Sequence, residues 1–405
     1  MGSFERYIEM NNEIWDAMKK CDNSENVENL IEFLKNKNDK YSYNKETGKY
    51  YLNSFFPSFP GAAWNRFING IYEVAKYNKR IPFQADITVT GKCHCKCWHC
   101  FRADHISEDL EFEKIRECIM SLYKLGTASV GITGGEPMLR EDILEIIRLI
   151  PDGMEGQLYT TGHRIDETFV SKIKETNLTR CIISLDHFEE SKACKLRNNP
   201  DAFKEAVHAI DLLTKNNVYT AVTVCITNDL MKQGAINKYF EFVKDLGVHE
   251  IRVILPIPQG NLEGKEVGSF YGRAMGLVKQ LRREYASRKD FPTIVNFCEF
   301  ESEDYFGCGA GANYISINND GAVIPCVAVP LSYGNVYDDT LENIFENMKE
   351  CFPTSDCVCF GIASGRIISK ENIDTSKKPL PQKISVEIAK KCRVATERAA
   401  IFKCL

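Results

Sequence analysis

A regular alternation of strands and helices between residues 82 and 290 constrains the fold more than any other feature of this 405-residue chain. Stretches with helical spacing of apolar residues separate six apolar runs of strand length: 85–90, 128–133, 156–161, 180–186, 219–227 and 250–256. Helices of crossover length make consecutive strands parallel, and runs that are apolar on both faces are typical of buried parallel strands. The pattern predicts an α/β fold. It does not distinguish an open barrel from a doubly wound sheet.

The sequence changes character on both sides of this region. IWDAMKK and NVENLIEFLKNK have helical periodicity, so residues 1–81 are predicted to form a helical extension. An aromatic stretch within it, 50–67, either packs the bottom of a barrel or covers a substrate. After residue 297 cysteine, glycine and turn residues dominate. We therefore divide the chain into four parts: extension 1–81, α/β domain 82–297, cysteine-rich subdomain 298–370 and a tail with a helix, 371–405.

Composition narrows the functional class. The net charge is −5, and no basic stripe suggests nucleic-acid binding. No apolar run is long enough to cross a bilayer and the first residues lack a signal-peptide pattern, so a cytoplasmic location without an integral membrane segment is expected. In such a chain, 17 cysteines that cluster in two places indicate metal binding rather than disulfides.

The first cysteine cluster, GKCHCKCWHCFR, directly follows the first strand of the alternation. Three of its cysteines have the spacing C-x3-C-x2-C: Cys93, Cys97 and Cys100. Three thiolates on one loop suit three irons of a 4Fe–4S cube and leave the fourth iron open to another ligand. A zinc knuckle is the alternative, because His94, Cys95 and His99 also offer zinc ligands.

The next strand-to-helix connection carries the motif ITGGEP, with Gly134, Gly135, Glu136 and Pro137. A glycine pair exposes backbone groups to a ligand, and a carboxylate accepts hydrogen bonds from an ammonium group. Alone, this motif is equally compatible with a tight turn. The two motifs one strand apart are far more specific together than either is separately.

CxxxCxxC after one strand and GGEP after the next make residues 82–290 resemble the radical S-adenosylmethionine (radical SAM) superfamily. The resemblance implies a partial (β/α)6 barrel with Cys93, Cys97 and Cys100 as ligands of a 4Fe–4S cluster. It also implies that the open iron is chelated by S-adenosylmethionine and that the GGEP segment binds its methionyl amino group. Cys95 matches no ligand position of the family.

The resemblance extends to further residues of a cofactor site. The backbone of His99 is expected near the adenine, and Thr161 lies in YTTG, where the family often has a Thr-Asn-Gly strand end. Ser184 and Asp186 in SLDH are expected to contact the methionyl or ribose part. Arg197 is expected to meet the carboxylate of S-adenosylmethionine, although Asn198 replaces the usual glycine; a solvated charge is the alternative.

The second cysteine cluster begins with a predicted hairpin whose turn is Asn319-Asp320-Gly321. Cys308 and Cys326 bracket it with the spacing Cys-x12-Gly-x4-Cys, which resembles the SPASM/twitch extensions of radical SAM enzymes. CFPTSDCVC then shows C-x5-C-x-C in place of the longer run of a full SPASM extension. The resemblance implies one auxiliary 4Fe–4S cluster held by Cys308, Cys326, Cys357 and either Cys359 or Cys351. A zinc ribbon is the alternative.

By resemblance, the enzyme reductively cleaves S-adenosylmethionine to a 5′-deoxyadenosyl radical. This radical abstracts hydrogen from a peptide or other natural-product substrate, leading to oxidation, coupling or epimerisation. An electron donor such as flavodoxin or ferredoxin is expected. Cys225 and Cys404 are candidate hydrogen-atom donors, or simply apolar fillers. The alternatives are a lipid or other small-molecule biosynthetic intermediate as substrate, or a non-enzymatic zinc- or iron–sulfur-binding protein.

Overall fold

The structure is a computed structural model, and it describes residues 4–22, 24–37, 39–103, 108–232, 234–265, 267–355, 358–392 and 398–404. Cys357, one of the predicted cluster ligands, lies outside these ranges. Within them, no helix has both the length and the apolar character needed to cross a membrane.

The N-terminal extension contains a small sheet in addition to the predicted helices. Its elements are β1 (Phe4–Ile8), α1 (Asn12–Lys19), α2 (Ser24–Lys35), β2 (Tyr41–Asn44), β3 (Lys49–Tyr51) and α3 (Ala62–Tyr77). The three strands form an antiparallel sheet in the order β1-β2-β3. Helical periodicity located α1 and α2 in the sequence, but the short strands between them carry no comparable signal.

The six predicted strands are present, and a seventh parallel strand follows them. The strands are β4 (Gln84–Thr88), β5 (Ser129–Thr133), β6 (Glu155–Thr160), β7 (Leu178–Ser184), β8 (Tyr219–Cys225), β9 (Glu250–Ile254) and β10 (Thr293–Asn296). They lie side by side in chain order. A doubly wound sheet reverses its strand order part of the way along, and this sheet does not. The arrangement is therefore of the barrel type.

Helices connect these strands along the outer face of the sheet. They are α4 (Phe112–Lys124), α5 (Ile143–Arg148), α6 (Glu167–Ile173), α7 (Glu190–Arg197), α8 (Ala202–Lys215), α9 (Ala235–Asp245) and α10 (Gly268–Ala286), with 3-10 turns at Pro137–Leu139 and Gly260–Leu262. The large core lies between these helices and the alternate strand residues that face them, such as Ile87, Ile132 and Leu158.

The inner face of the sheet is polar, contrary to the expectation that the strands are apolar on both faces. The Asp86 carboxylate accepts a hydrogen bond from Tyr314 at 2.5 Å, and Tyr159 links to Gln84 at 3.1 Å and Gln157 at 3.0 Å. A Cβ at Gly131 would lie 2.0 Å from the Asp86 carboxylate, so only glycine fits beside it in β5. These polar side chains are buried without loss because they hydrogen-bond to one another.

The aromatic stretch packs against the bottom of the barrel, which confirms one of its two interpretations. The Ser54 backbone donates to Glu250, the first residue of β9, at 2.8 Å, and the Ser58 backbone donates to Glu155, the first residue of β6, at 3.0 Å. Phe56 and Phe59 are buried in a second core there. This segment closes the end of the barrel opposite the loops that follow the strands.

The C-terminal part joins the same sheet. β11 (Tyr314–Ile317) pairs in parallel with β4 and forms the predicted hairpin with β12 (Val323–Ile324). The remaining elements are α11 (Phe297–Phe300), α12 (Leu341–Asn347), a 3-10 turn at Met348–Glu350, α13 (Phe360–Lys370), α14 (Gln382–Cys392) and α15 (Ala400–Lys403). The cysteine-rich region therefore extends the barrel sheet beyond β4.

Candidate active site

The first cysteine cluster lies on the loop after β4. Backbone hydrogen bonds join this loop to its neighbours on both sides. Lys96 donates to the carbonyl of Arg197 at 2.9 Å, at the end of α7. On the other side, Asn261 in a 3-10 turn donates from its backbone to the carbonyl of Cys100 at 3.0 Å. The loop is thus held by elements on both sides of it.

The four cysteines of this loop differ in where their thiols point. Cys93 is exposed, and Cys97 and Cys100 are half-buried. Cys95 is buried, and its sulfur accepts a hydrogen bond from Asn199 at 3.4 Å. The three thiols with the predicted spacing are therefore the more accessible ones, which fits the ligand set proposed for the cluster.

The GGEP loop packs directly against the cysteine loop. Gly135 donates to the Thr90 carbonyl and Glu136 donates to the Lys92 carbonyl, each at 2.8 Å. A Cβ at Gly135 would lie 2.3 Å from the Lys92 oxygen, far inside van der Waals contact. The glycine is needed because the two backbones approach each other, in addition to any approach of a ligand.

The Glu136 carboxylate is fully buried and is bonded within the protein. It accepts hydrogen bonds from the Thr160 hydroxyl at 2.5 Å, from the Thr161 backbone and hydroxyl at 2.8 Å each, and from the Met138 backbone at 3.1 Å. Sequence reasoning missed this role. The carboxylate fixes the end of β6, including Thr161, against the GGEP loop that begins the 3-10 turn at Pro137.

Asp186 and Arg197 form a buried ion pair beside the cysteine loop, with their charged atoms 2.8 Å apart. Burial opposes the charge on Arg197, but Asp186, together with Cys97 and Cys95, outweighs it and raises the guanidinium pKa. The same guanidinium lies 3.7 Å from the Cys97 sulfur. The charge of Arg197 is therefore buried at the site and is not exposed to solvent. Asp186 also accepts from the Cys225 backbone at 3.1 Å, and Ser184 ends β7 nearby.

Several buried polar atoms of the barrel and its cysteine loop have no hydrogen-bond partner in the described part of the chain. They are Thr88 Oγ1, Trp98 Nε1, His99 Nδ1, Arg197 Nε, Thr223 Oγ1, Arg252 Nε and Ser316 Oγ. Buried polar groups without partners are rare in native proteins and need an explanation. Burial also lowers the pKa of His99. Unpaired donors and acceptors fit a cofactor that carries an amino acid, a ribose and a base.

In the second cysteine cluster, the described thiols of Cys308, Cys326 and Cys359 lie close to one another. A hydrogen bond between the Cys308 and Cys359 thiols raises the pKa of Cys308, and burial raises it further. The Phe360 backbone also donates to the Cys308 sulfur at 3.5 Å. Burial raises the pKa of Cys326, with a further contribution from Cys308. Cys351, in contrast, ends the 3-10 turn at Met348 and is buried in the main core.

Cys298, which the sequence analysis does not include among the ligands, lies near this group. It is at the start of α11 and is hydrogen-bonded to Tyr271 of α10, whose pKa is raised by burial and then by Cys298 and Cys359. Burial raises the pKa of Cys298 itself to about 12. Its position ten residues before Cys308 was the available signal, but spacing alone does not separate a ligand from a filler.

The two candidate hydrogen-atom donors lie at opposite ends of the barrel. Cys225 ends β8 and is buried close to Asp186, Cys97 and Cys298, between the two cysteine clusters. Cys404 follows α15, which packs against α3; Phe402 contacts Phe83 with ring centroids 6.2 Å apart. The structure brings Cys225 to the site and does not bring Cys404 there.

A groove opens beside the second cluster, between the segment 258–268 and α13. It has a volume of about 310 Å³. Tyr271 contributes to its lining, together with the basic residues Lys265, Arg366 and Lys370. Because Tyr271 contacts Cys298, the groove leads from the surface toward the second cysteine cluster.

Known proteins match this architecture in both parts. Residues 87–233 match the model of the radical SAM superfamily, and residues 308–356 match that of the SPASM iron–sulfur cluster-binding domain. The AdoMet-dependent heme synthase of Methanosarcina barkeri is 25% identical over 286 residues, which cover 64% of this chain and 81% of that protein. A probable GTP 3′,8-cyclase of Methanococcus maripaludis is 28% identical over 262 residues, 60% and 83% of the two chains.

Solved structures share the fold. The anSMEcpe structure with bound AdoMet superimposes with a TM-score of 0.57 at 18% identity, over 76% of this chain and 95% of that chain. SuiB of Streptococcus suis, solved bound to the precursor peptide SuiA, gives a TM-score of 0.56 at 16% identity, over 70% and 68%. At these identities the likeness concerns the fold alone.

Fold and site together define an iron–sulfur enzyme that uses S-adenosylmethionine. The chain contains a radical SAM domain, matched over residues 87–233, and after it a SPASM-type iron–sulfur cluster-binding domain, matched over residues 308–356. Its cofactors are a 4Fe–4S cluster, S-adenosylmethionine and auxiliary iron–sulfur clusters in the C-terminal part.

Proposed function

We propose that this enzyme abstracts a hydrogen atom from a peptide substrate. The observation that carries the proposal is the packing of the cysteine loop on the GGEP loop, with Gly135 bonded to Thr90 and Glu136 to Lys92. This contact places a candidate cluster loop and a candidate cofactor loop at one end of the barrel. When bound, the cluster and S-adenosylmethionine supply a carbon-centred radical that removes hydrogen from the substrate.

In this proposal, residues 82–297 hold the reactive site. Cys93, Cys97 and Cys100 ligate the first cluster. The GGEP backbone receives the methionyl amino group, while buried Glu136 keeps that loop and Thr161 in place. Arg197, fixed by Asp186, receives the methionyl carboxylate. His99, Ser184 and Pro137 complete the lining.

Residues 298–370 hold one auxiliary 4Fe–4S cluster in this proposal. Cys308, Cys326 and Cys357 are ligands, and Cys359 is the fourth because its thiol already contacts that of Cys308. An electron donor such as flavodoxin or ferredoxin supplies the electron that cleavage requires. Cys225 is the better placed of the two candidate hydrogen-atom donors, because it lies between the clusters.

The peptide substrate is supported by two observations. The solved relatives of the same fold include SuiB bound to its precursor peptide and anSMEcpe bound to a peptide. In this chain, the groove of Lys265, Arg366 and Lys370 is open to the surface and leads toward the second cluster, as an extended substrate requires. A small-molecule substrate is the second candidate, favoured by the heme synthase and the GTP cyclase among the sequence relatives.

The test is an anaerobic assay with reconstituted protein, dithionite and S-adenosylmethionine. Peptides deuterated at their side-chain and α carbons are added in one arm, and a deuterated heme precursor or deuterated GTP in the others. We expect deuterium in 5′-deoxyadenosine only in the peptide arm, because abstraction transfers the label to the cofactor fragment. Stimulated cleavage in a small-molecule arm, with none in the peptide arm, contradicts the peptide assignment.

A further inference from the structure

Two histidines and a glutamate meet beside the first cysteine loop, and the reaction proposed above uses none of them. Glu205 on α8 accepts at one carboxylate oxygen from His163 Nδ1, 2.7 Å away. His94 Nε2 lies 3.2 Å from the other oxygen. The two imidazole rings are 4.1 Å apart between centroids. All three side chains are partly accessible to solvent, so an ion can enter from outside.

The three ligand atoms have the spacing of a metal site. They all lie within 4.8 Å of one another. Tetrahedral zinc with bonds of about 2.0–2.1 Å to nitrogen and oxygen separates its ligands by about 3.4 Å, so small side-chain shifts are enough. In the described part of the chain, the two imidazoles are also the only ion-pair partners of Glu205. Among the described residues, therefore, no lysine or arginine neutralises the Glu205 carboxylate.

The surrounding fold holds these residues together. His163 follows Gly162, whose φ of +94° is a left-handed conformation. A Cβ at Gly162 would lie 2.9 Å from both the Glu205 carbonyl and the Ala209 side chain. The loop after β6 therefore lies directly on α8 at the turn that carries Glu205. His94 comes from the cysteine loop, directly after Cys93.

We propose that His94, His163 and Glu205 bind one zinc ion, with solvent in the fourth position. Two imidazoles, a carboxylate and an open position are a set that zinc accepts. The ion links three elements: the cysteine loop, the end of β6 and α8. It fixes the backbone next to Cys93, the most exposed of the three proposed cluster ligands. His94 Nε2 also lies 3.8 Å from the Cys95 sulfur, but the zinc site shares no ligand with the two proposed iron–sulfur sites. Its occupancy does not depend on the substrate proposed above.

The test measures zinc and iron per chain in anaerobically purified holoenzyme after dialysis against a weak chelator. We expect about one zinc in the wild type. His163→Ala and Glu205→Gln should lower zinc affinity by at least about ten-fold, since even outer-shell changes cost about 10–100-fold. Iron should stay at the wild-type level in both. His208→Ala is the matched control, because His208 is exposed on the same helix and outside the ligand set.

X-ray absorption at the zinc edge identifies the ligands without relying on activity. The proposal predicts only nitrogen and oxygen neighbours at about 2.0–2.1 Å. A sulfur shell at about 2.3 Å would place the zinc on cysteines and overturn the proposal. Zinc well below one per chain in the wild type, or zinc retained in both His163→Ala and Glu205→Gln, overturns it as well.

Discussion

Cleavage of S-adenosylmethionine is expected to fall at least about 10³-fold when Cys97 is replaced by alanine, because a three-ligand 4Fe–4S site loses a ligand. The same loss is expected for Cys93 and Cys100. Cys95→Ala should retain most of the activity, since Cys95 is buried and lies outside the C-x3-C-x2-C spacing of the three proposed ligands. Its thiol contacts those of Cys93 and Cys97 and also accepts from Asn199. The measurement is 5′-deoxyadenosine formed per chain under reducing, anaerobic conditions.

Cys95→Ala is also the matched control, because it removes a thiol from the same loop. Iron content should be measured in parallel for each variant. Loss of cleavage in Cys95→Ala alone, with the other three variants active, would mean that the ligand register is wrong.

Arg180→Met is expected to lower the free energy of unfolding by about 3–5 kcal/mol, the cost of leaving a buried charge without its partner. Arg180 is fully buried and lies 2.6 Å from Glu155, which also accepts from the Ser58 backbone at the barrel bottom. Burial opposes the charge on Glu155, but Arg180 and then Lys49 outweigh it and lower the pKa of that carboxyl. Urea denaturation of the anaerobic holoprotein measures the loss.

One control variant and one pH dependence accompany this prediction. Arg148→Met removes an exposed pair with Glu145 and should cost less than about 1 kcal/mol. Because the folded pKa of Glu155 is below its unfolded value, its contribution is present above about pH 4.3 and is lost as the pH falls through the folded pKa. Equal effects of Arg180→Met and Arg148→Met would contradict the assignment of a stabilising buried pair.

The parts of the fold that sequence predicted are those with local signals. The six parallel strands and the long helices between them followed from periodicity, and the hairpin from its Asn-Asp-Gly turn. The short helix α7 was not predicted. β10 was missed because it has only four residues and directly follows Pro292. The pairing of β11 with β4 was missed. A hairpin motif predicts that its own two strands pair, but it does not predict which edge of a larger sheet they join.

The same distinction applies to the site. Cys93, Cys97 and Cys100 were predicted as cluster ligands from their spacing within one loop. The bonds of Glu136 to Thr160 and Thr161 were not, because they join residues 24 and 25 positions apart. His163 and Glu205 belong to no sequence motif. From sequence alone, a glutamate within a helix is expected to be a solvated charge, and only the fold shows that two histidines lie beside it.

The central claim is that this chain holds two separately ligated iron–sulfur clusters, of which the first serves S-adenosylmethionine. The most direct measurement is iron counting, with a cleavage assay, on a variant in which Cys93, Cys97 and Cys100 are all replaced by alanine. We predict about four irons per chain, from the auxiliary cluster alone, and no 5′-deoxyadenosine. Near-zero iron would contradict the second site. About eight irons would mean two auxiliary clusters and contradict the single one proposed, and cleavage that persists would contradict the account of the first cluster.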